Sequence, residues 1–249
     1  MKGAAGRRSG EVAGMPLLAG KLVVPSMPGR VVERPRLFKL LDTGVERPVT
    51  LVAAPAGSGK TLLLTSWMSA ASPPGAVAWL SLDGGDNDPV RFWSYVLAAL
   101  GRSGAVPVDS GLLAVQPSPT DDDALLASLL HGLEGLASPV VLVLDDVHEL
   151  TEPRVLNGLD LLIRHAPPQL RLVDDLAGDG RVAAGAPHRH PFERRREAAA
   201  QLARDHDPVA PRSHSVLPLA RPLVCSRWPV RPLPDQGRPP VDERASSIG

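Results

Sequence analysis

The 249-residue chain has a single cysteine, Cys225, so it forms no internal disulfide, as expected for a reducing cytoplasm. Lysine is scarce: Lys2, Lys21, Lys39 and Lys60 are the only four, and arginine supplies the remaining positive charge. Excess charge of either sign is absent, with Lys+Arg and Asp+Glu both at 27. Overall charge therefore points to no nucleic-acid or anionic-membrane partner. No apolar run approaches the roughly 18–20 residues needed to cross a bilayer. The opening "MKGAAGRRSGEVAGMPLLAG" has basic residues but no apolar h-region, so no signal peptide is expected. His188, His190, His206 and His214 have neither metal-site spacing nor cysteine partners, so no zinc site is expected. Ser81, Ser94 and Cys225 sit in no nucleophile motif, and no repeat of roughly 20–50 residues is present. The 23 Gly, 27 Pro and dominance of Arg over Lys suggest a GC-rich genome.

The residues that are present alternate between strand and helix patterns. "VTLVAA" (Val49–Ala54) is a short apolar run ending in a glycine loop, a buried strand. "KTLLLTSWMSAA" (Lys60–Ala71) is helical, and "AVAWLSL" (Ala76–Leu82) is a second strand. "PVRFWSYVLAALG" (Pro89–Gly101) is a helix with Pro at its start and Gly at its end. "TDDDALLASLLHGLEGLA" (Thr120–Ala137) is another, with acids in its first turn complementing the macrodipole. "VVLVLDD" (Val140–Asp146) is apolar on both faces. "PRVLNGLDLLIRHA" (Pro153–Ala166) is helical, and "LRLV" (Leu170–Val173) begins a fourth strand. Continuous apolar strands alternating with helices predict an α/β fold, a parallel sheet with helices on both faces.

"APAGSGKT" (Ala54–Thr61) lies between a predicted strand and helix and fits the phosphate-loop pattern, with Ala54 in the first glycine position. Small residues at Ala54, Pro55, Ala56, Gly57, Ser58 and Gly59 let backbone N–H groups turn toward phosphates, and the helix N-terminus adds its positive end. Lys60 would reach the β- and γ-phosphates, and Thr61 would offer its hydroxyl to Mg²⁺. In "VVLVLDDVHEL" (Val140–Leu150) two acids end a buried strand, at the edge where open parallel sheets bind ligands. Asp145 would hold Mg²⁺, and Asp146 would orient the attacking water. His148 reads as a solvated loop histidine rather than a γ-phosphate sensor. Arg194–Arg196 reads as a solvated helix face.

"KLVVPSMPGRVVERPRLFKLLDTGVERPVTLVAAPAGSGKTLLLTSW", "VAWLSLDGGDNDPVRFWSYVLAAL", "VVLVLDDVHEL" and "RHAPPQLRLV" together resemble one family. It is the N-terminal ATPase module of the large ATP-binding LuxR-type (MalT-like) transcriptional regulators. These are AAA-like signal-transduction ATPases with numerous domains, or STAND proteins. The resemblance covers about Leu17 to Val173 and implies a P-loop NTPase that switches between ADP and ATP, with Mg²⁺. It implies self-association in the ATP state, and DNA binding only through a C-terminal family domain that is not recognisable here. It also puts Arg34 and Pro35 near the adenine end. The segment Asp83–Pro89 follows the second strand at the nucleotide edge, although its acids read better as structural caps, Asp88 before Pro89 above all.

The pattern fails after Val173. The family continues its fourth strand into a turn bearing a sensor arginine; here "LRLV" runs into "DDLAGDGRV". The expected organisation is a leader at 1–16 without a structural role, an NTPase domain at 17–173, and an Arg/Pro-rich tail of low order at 174–249. That tail shows no further clear strand, and "PFERRREAAAQLARDH" (Pro191–His206) is its one helical pattern. The abrupt change suggests a truncated or frameshifted gene, a sheet incomplete at its C-terminal strands and an open sheet edge. The missing arginine implies weak ATP hydrolysis or none. The function expected is the nucleotide switch of a transcriptional regulator. A stand-alone P-loop ATPase and a nucleotide-binding interaction protein are the alternatives.

Overall fold

The computed structural model describes residues 16–177, except 28, 30, 31, 55, 56, 71 and 72, together with the backbone of 223–225. The sheet has the order β2-β3-β4-β1-β5. Its strands are β1 (Val49–Ala54), β2 (Ala76–Ser81), β3 (Val140–Asp145), β4 (Leu170–Ala177) and β5 (Leu223–Cys225). The first four are parallel to one another. The helices are α1 (Pro35–Gly44), α2 (Lys60–Ala70), α3 (Pro89–Arg102), α4 (Asp122–Glu134) and α5 (Pro153–Arg164).

Two apolar cores follow from the period-2 alternation of the strands. On one face Val52, Trp79, Val141, Val143 and Val173 pack against Leu37 and Leu41 of α1 and Leu63, Leu64 and Trp67 of α2. On the other, Leu51, Leu80, Leu142, Leu144 and Leu172 pack against α3, α4 and α5. Every residue of β3 is buried, which is why that strand reads as an unbroken apolar run. The expected parallel sheet covered on both faces is the fold observed.

Three details differ from the sequence pattern. The helix α1 falls where that pattern assigns no element; Pro35 sits at its first turn, where a missing N–H costs nothing. The fourth strand does not stop at Val173 but runs to Ala177, pairing with β1 along its whole length from Val49↔Leu172 to Ala54↔Ala177. Two aspartates interrupt its apolar run, and that hides its second half from a hydrophobicity reading. The expectation of no strand after Val173 is also corrected at Leu223–Cys225, which pairs antiparallel with Leu51–Ala53 of β1. Leu51–Ala53 of β1 are therefore paired on both sides. The predicted helix at Pro191–His206 lies outside the described residues.

The candidate nucleotide site

Parallel strands put their C-terminal ends along one edge, where the loops that follow them meet. Ala54 ends β1, Asp145 ends β3, and Asp175 lies near the end of β4, level with Val52. Asp145 shares a face with Val141 and Val143, and Asp175 shares that same face with Val173, by alternation. That is the face on which α2 lies, and α2 carries Lys60 and Thr61 in its first turn.

Gly57 and Gly59 have φ of 73° and 83°. This left-handed backbone is one that glycine adopts without a Cβ penalty. Nothing lies within 4 Å of the Cβ that either would carry, so both face open space. The first N–H groups of α2 have no acceptor inside their own helix. The Ser58 hydroxyl is buried and has no hydrogen-bond partner among the described residues. The donor set and the open space beside the glycines fit a phosphate group. Pro55 and Ala56 lie outside the described residues.

The Thr61 hydroxyl donates to Asp145, with Oγ1 at 3.1 Å from Oδ1 and 3.4 Å from Oδ2. Lys60 is buried, and its Nζ lies 3.4 Å from Oδ1 of Asp175. One carboxylate oxygen from each of Asp145, Asp146 and Asp175 falls within 4.8 Å of the others. Hard oxygen donors of this kind suit Mg²⁺. Burial raises the Asp145 carboxyl above its ordinary range, partly offset by its hydrogen bond to Asp175. Burial, reinforced by the neighbouring Asp145, pushes Asp175 up to about 8. Two desolvated carboxyls this close cannot both ionise as cheaply as either would alone.

Asp146 has φ 63°, the left-handed conformation that aspartate tolerates better than most residues. It is half exposed, and its Oδ1 lies 3.7 Å from Nδ1 of His148, whose Nε2 is 3.5 Å from Glu149. The turn projects Asp146 outward while Asp145 stays buried, so the paired acids occupy different environments.

Arg34 caps α1, its carbonyl accepting from the N–H groups of Leu37 and Phe38, and Pro35 opens the helix, exposed. Among the described residues, neither makes a side-chain hydrogen bond or ion pair to the phosphate loop. The acids of Asp83–Pro89 are caps, as expected. Asp83 and Asp86 form a reciprocal capping box over the turn Gly84–Asn87, and Asp88 caps α3. Lys21 pairs with both Asp83, at 2.9 Å, and buried Asp86. Its ammonium holds the Asp83 carboxyl below the usual range.

Two residues of the site escape a reading by motif. Asp175 is one. The other is Asn87, whose amide nitrogen donates to the Glu149 carbonyl at 2.8 Å. Its oxygen accepts from the backbone N–H of Thr151 and of Glu152, at 2.7 and 2.8 Å. One side chain thus ties the loop after β2 to the loop after Asp145 and Asp146. Asn87→Ala should expose the Thr151 and Glu152 amides to exchange, lowering their protection by roughly one to two orders of magnitude, as hydrogen–deuterium exchange would measure.

The fold and this site define a P-loop nucleotide-binding architecture. Residues 26–173, more than half of the chain, match the AAA ATPase domain family, and the chain belongs to that family. It is 34% identical over 158 residues to the HTH-type transcriptional regulator MalT of Cronobacter sakazakii. The identity to MalT of Serratia proteamaculans is 37% over 158 residues. Each match covers 63% of this chain and 17% of the relative, so the chain spans about a sixth of the length of these regulators. The matching part is a MalT-like ATPase module. Among solved structures, Cdc6p from Pyrobaculum aerophilum is similar with a TM-score of 0.41 and 19% identity, over 64% of this chain and 42% of that one.

Proposed function

We propose that this chain binds ATP and ADP with Mg²⁺ and serves as the nucleotide switch of a LuxR-type transcriptional regulator of the STAND group, acting in the cytoplasm. The observation that carries the proposal is the contact of Thr61 with Asp145 beside buried Lys60. A hydroxyl from the helix that follows the glycine loop meets an acid from the end of a buried strand. In this reading Gly57, Ser58 and Gly59 turn N–H groups to the phosphates, and Ala54, Pro55 and Ala56 shape the loop. Lys60 neutralises phosphate charge, and Thr61 and Asp145 hold the cation. Arg34 and Pro35 face the adenine. Mg²⁺, when bound, would screen the phosphates from the acids around them. Isothermal titration of the wild type and Lys60→Ala with ATP and with ADP tests the reading; a wild type that binds neither defeats it.

The exposed position and turn geometry of Asp146 support a role with water rather than in binding. Asp146→Ala should keep the wild-type affinity for ATP within about threefold while lowering any phosphate release by tenfold or more. A purified, folded Asp146→Ala that binds no ATP would contradict the assignment. Self-association in the ATP state follows from the same switch reading. It predicts a larger hydrodynamic size with ATP than with ADP. The match to transcriptional regulators supports a role in transcription, with DNA contacted through another part of such a protein.

A further inference from the structure

The second half of β4 places a carboxyl where a phosphate site does not need one. Asp175 is 1% exposed and Lys60 6%. Their charged groups are 3.4 Å apart, and a carboxylate oxygen of Asp175 lies within 4.8 Å of one on Asp145, the acid bonded to Thr61. Asp175 thus engages both the ammonium and the carboxylate that the site offers to a terminal phosphate and its cation. It cannot swing clear, because its backbone is fixed in the ladder opposite Val52 of β1 and the side chain is short.

We propose that Asp175 is a specificity-determining residue of the nucleotide site, an internal occupant of the terminal-phosphate position that biases the site toward a nucleoside diphosphate over a triphosphate. The proposal rests on the nucleotide-binding reading above. Lysine is a point charge, and one ammonium cannot give its full interaction to a carboxyl and to a γ-phosphate together. A γ-phosphate arriving here also brings negative charge against a buried acid pair that already disfavours charge, in a setting where charges are weakly screened. A diphosphate draws on the N–H groups of the loop and the helix start as well as on Lys60, and it brings no γ-phosphate toward Asp175. It therefore loses less to the competition. The alternative is a purely structural pair that keeps Lys60 in place, and removing Asp175 would then weaken both nucleotides.

The test compares dissociation constants for ATP and ADP, both with Mg²⁺, in the wild type, Asp175→Ser and Asp175→Asn. Circular dichroism establishes that each variant is folded. Asp175→Ser removes the competitor and should raise the preference for ATP over ADP by about ten- to a hundredfold. Asp175→Asn keeps the hydrogen-bonding shape and should shift it in the same direction by less. If Asp175→Ser does not fold, the isosteric Asp175→Asn supplies the reading. A ratio unchanged within about twofold, or a loss of affinity for ATP, overturns the proposal. A wild type that binds both nucleotides while the ratio stays fixed defeats this inference alone. A wild type that binds neither defeats the functional reading with it.

Discussion

Lys60→Ala should lose at least about a hundredfold in affinity for both ATP and ADP while the fold survives. Truncating one member of a buried charged pair costs about 2–5 kcal/mol, or roughly thirtyfold to several thousandfold in affinity. Here the pair to be formed is ammonium to phosphate, at the base of a loop whose other donors are backbone groups. Lys60 is buried at the start of α2, and its stem is already ordered by packing, so little side-chain entropy is lost on binding. Removing it leaves Asp175 without its cation. That carboxyl is already raised to about 8 by burial and by Asp145, and it accommodates the loss by holding a proton at neutral pH. The variant should therefore keep the secondary structure and cooperative melting of the wild type. Titration calorimetry beside circular dichroism checks both halves of the statement. Wild-type affinity in a folded Lys60→Ala would mean that the loop does not bind phosphate in the way assigned.

Trp67→Ala should destabilise the domain by about 3–5 kcal/mol, a large share of the roughly 5–15 kcal/mol typical of a folded protein. Trp67 is fully buried in the core beneath α1 and α2. Its indole N–H donates to Oδ1 of Asp42 at 2.7 Å, tying α2 to α1. The substitution opens a large cavity and leaves that carboxylate without its donor. Denaturant unfolding should show a lower midpoint with a similar slope. Because α2 presents Lys60 and Thr61, nucleotide affinity should fall as well, in proportion to the loosening of the helix rather than to any lost contact. A midpoint within experimental error of the wild type would contradict the packing described here.

The uneven legibility of this chain has physical causes. The strands β1, β2 and β3 are covered on both faces, so their residues are apolar without interruption and stand out against polar turns. Lys60 and Thr61 are legible because short-range spacing places them: a strand, a tight turn and a helix leave little freedom in where the groups end up; Asp145 is legible separately, as the acid that ends an apolar run. Asp175 is not. Its burial is tolerated because Lys60 and Asp145 lie against it, and neither is near it in sequence. A run of apolar residues broken by two acids looks like the end of a strand unless those partners are known. Asn87 is hidden for the same reason, since the groups it bridges, Glu149 to Glu152, come from the far side of α3 and α4. The strand Leu223–Cys225 is short and far from β1 in sequence, and nothing local distinguishes it from the proline-punctuated stretch around it.

Direct titration of the wild-type chain with ATP and with ADP, in the presence of Mg²⁺, tests the central claim. The account predicts saturable binding of both at one site per chain, abolished in Lys60→Ala, with ADP held at least as tightly as ATP. Heats indistinguishable from dilution for both nucleotides, on protein shown to be folded, would contradict it.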